Sequence, residues 1–318
     1  NINYCVLGLL VQEVSGQRYE DYIEENICTS LAMDNSYASS SLTEDASVAQ
    51  GYNPFVGIIL PVETDVTESV GASAGLWSSA ADMSRYLIAQ LGDGSDIGLT
   101  AQSQALLHKP GVEIEPGLSY AMGWFHASHF LDLEFLQTLG TNLKPTDDLQ
   151  VLSHEGDWKG YKSMVLMLPG QEYGVVLLMN INDGTIASAY RYFAWDVTLI
   201  ANGGEAYYFQ PSEEPIVRYS RWIFSGLALV LLTGWVWSWP RAHKTGKTSF
   251  AWLLVLPILF NAGLLAYLYL VLLPNNGASL RSLLDRSPDL GILCILVTVF
   301  AICWILVSVG RLVKVRAN

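Results

Sequence analysis

Asn1-Ile2-Asn3-Tyr4-Cys5-Val6-Leu7-Gly8, running on to Glu13-Val14-Ser15-Gly16, and the later stretch Ser153-His154-Glu155-Gly156 are the two pieces of sequence on which the fold turns. In the first, Ile2, Val6, Leu9, Leu10 and Val14 fall on one helical face, and Gly16 can supply a left-handed cap. The second ends a short apolar strand over residues 149–154. Two more strands follow, over 162–168 and 173–179, joined as a hairpin by Pro169-Gly170-Gln171-Glu172. A helix over 186–200 then closes over the sheet. Hairpin-linked strands with helices at both ends predict an α+β fold, an antiparallel sheet flanked by helices.

Between these anchors the signals are weaker. Tyr19, Tyr22, Ile23 and Ile27 predict a second helix, with Glu20, Asp21, Glu24 and Glu25 toward the positive end of its dipole. Leu31-Ala32-Met33 packs as the chain leaves it. Residues 34–70 read as a long, turn-rich connection with weak strand signals. Ser79, with Asp82 three residues on, opens a helix through Leu91. Residues 120–125 read as a strand. No internal repeat is evident.

The C-terminal third differs in kind. Uncharged apolar runs cover about 222–239, 250–273 and 290–310, each near the roughly 17–25 residues a helix needs to cross a bilayer. Trp222, Trp235, Trp237, Trp239 and Trp252 cluster near the run ends, where amphipathic rings favour the interface. Pro257 and Asn261 are expected to kink or polarise the middle run and to face another helix. The first inter-span loop holds Arg241, Lys244 and Lys247, and the tail holds Arg311, Lys314 and Arg316. The opposite side holds Arg218, Arg221, Arg281 and Arg286. This bias places the C-terminus in the cytoplasm and residues 1–217 outside it.

With 51% hydrophobic residues and a mean hydropathy of +0.30, the chain is too apolar for one ordinary soluble domain. The net charge of −13 conceals a split. Residues 1–217 hold 28 acids against 7 bases, and residues 218–318 hold 2 acids against 10 bases. The acidic part argues against nucleic acid as a partner, because phosphates require Lys and Arg. There is no Cys-x-x-Cys. Cys5 and Cys28 read as two buried thiols, with a disulfide left open for an oxidising compartment.

The quoted stretches resemble motifs of the penicillin-recognising serine hydrolases, the superfamily of class C β-lactamases, esterases and D,D-peptidases. Its second motif, Tyr-x-Asn, leads into a helix of the form Tyr-x-x-Leu-Gly-x-x-x-Glu-x-x-Ser-Gly. Tyr4, Leu7, Gly8, Val14, Ser15 and Gly16 match it, Glu13 sits where an acid is usual, and Asn1 falls on the motif's Asn. Ala74-Gly75-Leu76-Trp77-Ser78-Ser79 resembles the Gly-Gly-Leu-x-Ser-Thr segment. Ser153-His154-Glu155-Gly156 resembles the His-x-Gly form of the Lys-Thr-Gly box. The resemblance implies a β-lactamase/transpeptidase-like fold, incomplete at the N-terminus, because Ser-x-x-Lys and the motif Tyr are absent. It implies the C-terminal part of a longer enzyme, inactive by itself.

In such an enzyme a base takes the proton of the Ser hydroxyl, and the motif Tyr moves a proton toward the leaving group. The third-motif strand lends a backbone N–H to the oxyanion hole, by position that of Asp157. The implied site residues are therefore Asn1, bonding substrate or the catalytic Lys, and His154, orienting substrate or moving protons. Gly156 lets substrate lie close to the strand, and Asp157 supplies its N–H. A carboxylate at 157 repels the developing charge unless it points away.

Three look-alikes compete. Lys244-Thr245-Gly246 spells the box literally but sits in a predicted inter-span loop. Gly71-Ala72-Ser73-Ala74-Gly75 spells a nucleophile elbow, with Asp147 or Asp148 and then His154 as triad partners, but residues 65–70 are too polar for the buried strand an elbow needs. His126 and His129 have metal-ligand spacing without a third ligand and read as solvated loop residues.

The expected organisation is a hydrolase portion at 1–202, a linker at 203–217 and a three-helix membrane domain at 218–318. The expected function is a membrane-anchored extracytoplasmic serine hydrolase acting on amide or ester bonds of a small-molecule or peptide substrate. A non-catalytic sensor of wall peptides or β-lactams is the alternative. The expected partners are that substrate and the lipid bilayer, with no cofactor and no metal.

Overall fold

A computed structural model describes residues 2–38, 47–55, 58–63, 71–127, 140–142, 150–183, 187–207, 215–242, 254–275 and 279–317. The chain separates into two compact units: residues 1–52, 61–182 and 186–211 in one, and residues 53–60, 183–185 and 212–318 in the other.

In the first unit, helix α1 (Ile2–Ser15) ends at Gly16, whose φ of +72° and N–H bond to the Gln12 carbonyl provide the expected left-handed cap. Helix α2 (Tyr19–Ile23) continues as a π-helical turn (Glu24–Cys28). Strands β1 (Gly51–Phe55) and β2 (Ile58–Val62), whose residues 53–60 belong to the second unit, form a small ladder inside the stretch read as turn-rich. Pro54 and Pro61, which cannot donate to a ladder, mask that signal. The short helix α3 (Gly71–Ala74) lies against α1. A Cβ on Gly8 would come within 2.5 Å of the Ala72 Cβ, so this close approach requires the glycine. Helix α4 (Ala80–Leu91) is capped by Ser79, whose side chain accepts from the Asp82 N–H. Helix α5 (Ala101–Leu107) has no counterpart in the sequence reading.

The main sheet is a six-stranded antiparallel meander: β3 (Val112–Glu115), β4 (Leu118–Ala121), β5 (Trp124–Ala127), β6 (Val151–Trp158), β7 (Tyr161–Leu168) and β8 (Tyr173–Met179). Residues 120–125 are therefore not one strand. Met122 and Gly123, both at positive φ, turn the chain between β4 and β5. The strand predicted to end at His154 runs on to Trp158, because Gly156, Asp157 and Trp158 keep pairing with Ser163, Lys162 and Tyr161. Helix α6 (Ala187–Ala201) covers one sheet face, where Val151, Met164, Leu166 and Leu168 pack on Ala194, Trp195 and Leu199. On the other face Leu152 and Met167 pack with Leu87 of α4 and with Trp124. The sheet is thus a buried middle layer, as the apolar strand pattern implied.

In the second unit, helix α7 (Pro215–Ala242) is followed by α8 (Val255–Tyr267), which continues through a π-helical turn (Leu268–Leu272) to Asn275. Helix α9 (Leu280–Arg286) and helix α10 (Pro288–Ala317) complete it. Tyr219–Trp239, Val255–Asn275 and Pro288–Val315 are long and apolar enough to cross a membrane. Their shared core is Ala228, Leu231, Leu268, Cys294, Val297 and Ala301. Asn261 is fully buried, its amide donating to the Pro257 carbonyl at 2.7 Å. Pro257 is the third residue of the described α8. Arg221 pairs with Asp183 at 3.1 Å and with Asp289.

Candidate active site

Strand β6 carries the predicted third motif, and its period of two sorts the motif residues onto opposite faces. Val151, Ser153, Glu155 and Asp157 share the α6 face; Leu152, His154 and Gly156 share the α4 face. Gly156 stands opposite Ser163 on β7, and a Cβ there would lie 2.2 Å from the Ser163 Oγ. Gly156→Ala is expected to weaken folding by about 1–2 kcal/mol through overpacking. Ser163→Ala in the same chain should recover most of that loss in urea titrations. An equal loss with and without Ser163 would show that the crowding lies elsewhere.

His154 is half-buried and meets a chain of tyrosines. The Tyr120 hydroxyl on β4 lies 3.4 Å from His154 Nε2, and the Tyr4 hydroxyl on α1 contacts that of Tyr120. The Phe125 ring packs 5.9 Å from the imidazole and 4.8 Å from the Tyr120 ring. The helix that begins at the predicted second motif and the strand of the third therefore meet through side chains. Asn1 itself lies outside the described residues. Burial holds the His154 pKa down, against the hydrogen bond to the Glu155 backbone and the Glu155 charge. Burial also raises the Tyr120 pKa, reinforced by Tyr4.

The Asp157 carboxylate lies on the α6 face of β6, opposite to His154 and Gly156. It accepts from Asn182 Nδ2 at 2.8 Å and lies 3.6 Å from Lys162 Nζ. Lys162 is buried, bonds Glu155 at 3.0 Å and sits 5.9 Å from the centre of the Tyr190 ring. Arg191 holds the other Glu155 oxygen. Burial pushes the Glu155 pKa up, but Arg191 and Lys162 outweigh it, so the carboxyl titrates below its ordinary range. This network answers the electrostatic objection to an acid at 157: its charge is drawn to the α6 face, away from His154 and Gly156. Tyr4 is legible as a match to the second-motif helix, but its contact with Tyr120 is not. Tyr120 and Lys162 carry no motif signal, since they come beside β6 only through the folded sheet.

His126 corrects the sequence reading. It is a buried strand residue, 4% exposed, not a solvated loop histidine, and its Nδ1 lies 3.4 Å from the Gln150 amide nitrogen. His129 lies outside the described residues, and no cluster of three metal-ligating side chains occurs among the described ones. Ser73 sits in α3 and every pairing in the main sheet is antiparallel, so the parallel-sheet scaffold of a nucleophile elbow is absent among the described residues. Asp147, Asp148 and Lys244-Thr245-Gly246 lie outside them. Cys5 and Cys28 are both thiols; Cys28 is buried but Cys5 only half so.

Burial lowers the pKa of His108 and His126 as well as that of His154. A histidine depressed in the fold binds its proton more readily when unfolded, so stability rises with pH across the window between the two values. Unfolding midpoints are expected to be full above the ordinary value of 6.5 and to fall as pH drops through it toward the depressed values. Equal urea midpoints at about pH 8 and pH 5.5 would contradict this.

The sheet, its two helical layers and the link from α1 through Tyr120 to β6 define a β-lactamase-like α+β fold. Residues 1–198 match the Beta-lactamase family model, and the chain belongs to that family. The Protein flp of Staphylococcus aureus (strain MW2) is 26% identical over 186 residues, which is 58% of this chain and 33% of that protein. The chain thus spans about a third of the length of that curated relative. The solved octameric penicillin-binding protein homologue from Pyrococcus abyssi shares the fold, with a TM-score of 0.50 and 24% identity over 69% of this chain and 44% of its own. A beta-lactamase from Sulfitobacter sp. EE-36 aligns at a TM-score of 0.49 and 22% identity, covering 63% of this chain and 58% of its own.

Proposed function

We propose that this chain carries the substrate-orienting and oxyanion side of a membrane-anchored, extracytoplasmic serine hydrolase, one that opens amide or ester bonds through an acyl-enzyme. The observation that carries this reading is the contact of Tyr4, three residues past the motif Asn, with Tyr120, which reaches His154. Asn1, His154 and Gly156 line the groove in this proposal, and the backbone N–H of Asp157 donates to the developing oxyanion. The attraction of the Asp157 side chain to Lys162 and Asn182 supports that role. Candidate substrates are D-alanyl peptides, small esters and β-lactams. Residues 1–202 act as the hydrolase portion, 203–217 as the linker and 218–318 as the anchor, with the C-terminus in the cytoplasm.

Ser-x-x-Lys does not occur in residues 1–318, so these residues alone are expected to bind such ligands without turnover. Fluorescent penicillin should leave no covalent label after denaturing electrophoresis, and a labelled band would overturn this. Non-covalent binding of an acyl-D-alanyl-D-alanine peptide should weaken about tenfold in His154→Ala, the loss of roughly one charge-free hydrogen bond. No binding by either protein would remove the substrate assignment. A cysteine replacing Arg316 should be shielded from an impermeant maleimide in intact cells, and outward labelling would reverse the topology. The alternative, a non-catalytic sensor, shares the binding result. It parts from the enzyme reading in the coding sequence ahead of Asn1, where the enzyme requires Ser-x-x-Lys and a Tyr two residues before the Asn.

A further inference from the structure

We propose that Tyr120 is a positioning residue for His154: its hydroxyl donates to Nε2 and fixes the imidazole as the tautomer protonated on Nδ1. The inference deepens the reading of His154 as a site residue and rests on it. Three observations bring it about. The Tyr120 oxygen lies 3.4 Å from Nε2, and the Tyr4 hydroxyl contacts that same oxygen. The Tyr120 ring is held edge-on against Phe125 at 4.8 Å, and Phe125 in turn packs 5.9 Å from the imidazole. The two rings thus hold the phenol in place beside Nε2.

Direction follows from what each group can do. A neutral imidazole has one donor and one acceptor nitrogen. A phenol has a single proton; either hydroxyl of the Tyr4–Tyr120 pair can donate, and with Tyr4 as the donor the Tyr120 proton points to Nε2. That nitrogen must then accept, and the remaining proton resides on Nδ1. Imidazole in water prefers the opposite form, with the proton on Nε2, so the tyrosine chain works against an intrinsic bias. The burial that keeps His154 neutral and Tyr120 protonated sustains the arrangement near neutral pH. The outcome is a defined N–H donor at the third-motif position, where a lysine in the more familiar box offers a rotating ammonium. On the motif strand itself His154 hydrogen-bonds the Glu155 backbone. The partner of Nε2 comes from β4 and, through Tyr4, from α1, which no local pattern near residue 154 encodes.

The test reads protonation instead of turnover. The full chain is labelled with 15N-histidine, held in detergent micelles at about pH 8, and the His154 signals are assigned by their loss in His154→Asn. The unchanged protein should show Nδ1 protonated and Nε2 bare. Tyr120→Phe keeps the ring on Phe125 and removes the donor, and it should move the tautomer ratio about five- to tenfold toward Nε2–H, the effect of one hydrogen bond. Tyr4→Phe should move it the same way by less. A protonated Nε2 in the unchanged protein overturns the proposal, as does an unaltered ratio in Tyr120→Phe. Should Tyr120→Phe fail to fold, the unchanged protein and Tyr4→Phe still decide it. A protein that binds no D-alanyl peptide yet shows the expected tautomer would refute only the functional reading.

Discussion

Arg221→Met is expected to destabilise the C-terminal unit by about 3–5 kcal/mol, the loss typical when one partner of a buried ionic cluster is removed. The Arg221 side chain is 15% exposed and serves two carboxylates, Asp183 at 11% and Asp289 at 0%. Methionine fills much of the same volume, so packing alone explains little of the loss. Its main source is a pair of acids deprived of their arginine in a poorly hydrated place. Asp289 recovers part of this through its position in the first turn of α10, where the helix dipole favours a negative charge. Arg221→Lys keeps the charge but gives up the planar fork that reaches both acids, and it should fall between the two. The contrast is the surface pair Arg18–Glu20, with its arginine 55% exposed, where Arg18→Ala should change stability by less than about 1 kcal/mol. Denaturation of the full chain in detergent micelles, followed by tryptophan fluorescence, measures each. An Arg221→Met midpoint equal to that of the unchanged protein would show that the cluster contributes nothing net.

Lys162→Met is the counterpart in the hydrolase-like unit, with an expected loss of about 2–3 kcal/mol. The ammonium is 3% exposed and lies between Glu155 and Asp157, whose side chains are 21% and 23% exposed. The loss is smaller than at Arg221 because each acid keeps another partner: Arg191 for Glu155, Asn182 for Asp157. Its pH dependence is the sharper signature. The Glu155 carboxyl is depressed in the fold, so its contribution is present above the ordinary glutamate value and is lost as pH falls through the folded one. Without Lys162 one cause of that depression is gone, and the difference between variant and unchanged protein should narrow toward acid pH. Ligand binding should also suffer, since the freed Asp157 carboxylate is no longer drawn to the α6 face. A pH-independent gap would place the effect in packing instead of charge.

The two quoted stretches were legible because each is local. The helical spacing from Ile2 to Val14 and the glycine after it made α1 legible, yet Ile2, Val6, Leu9, Leu10 and Val14 lie exposed and the residue α1 buries is Gly8. Strands β7 and β8 are likewise readable, since their residues are apolar on both faces and bounded by turn residues. The misread stretch around residues 120–125 failed for the converse reason. A tight turn at Met122-Gly123 lacks the Asn-Gly or Asp-Gly signature, so two short strands look like one. The wrong environment for His126 has the same origin: its neighbours Gln150 and His108 come from elsewhere in the chain, which no residue near it announces.

Sequence by itself determined the α+β class, the antiparallel hairpins and the three long apolar helices, because helix and strand periodicity, turn residues and hydropathy are properties of neighbours along the chain. Only the tertiary structure decided that Tyr4 and Tyr120 reach His154, that the Asp157 charge is drawn to Lys162 on the α6 face, and that Arg221 is buried against two acids. Those contacts join residues far apart in sequence, and their energies depend on burial and distance, which exist only once the layers have packed.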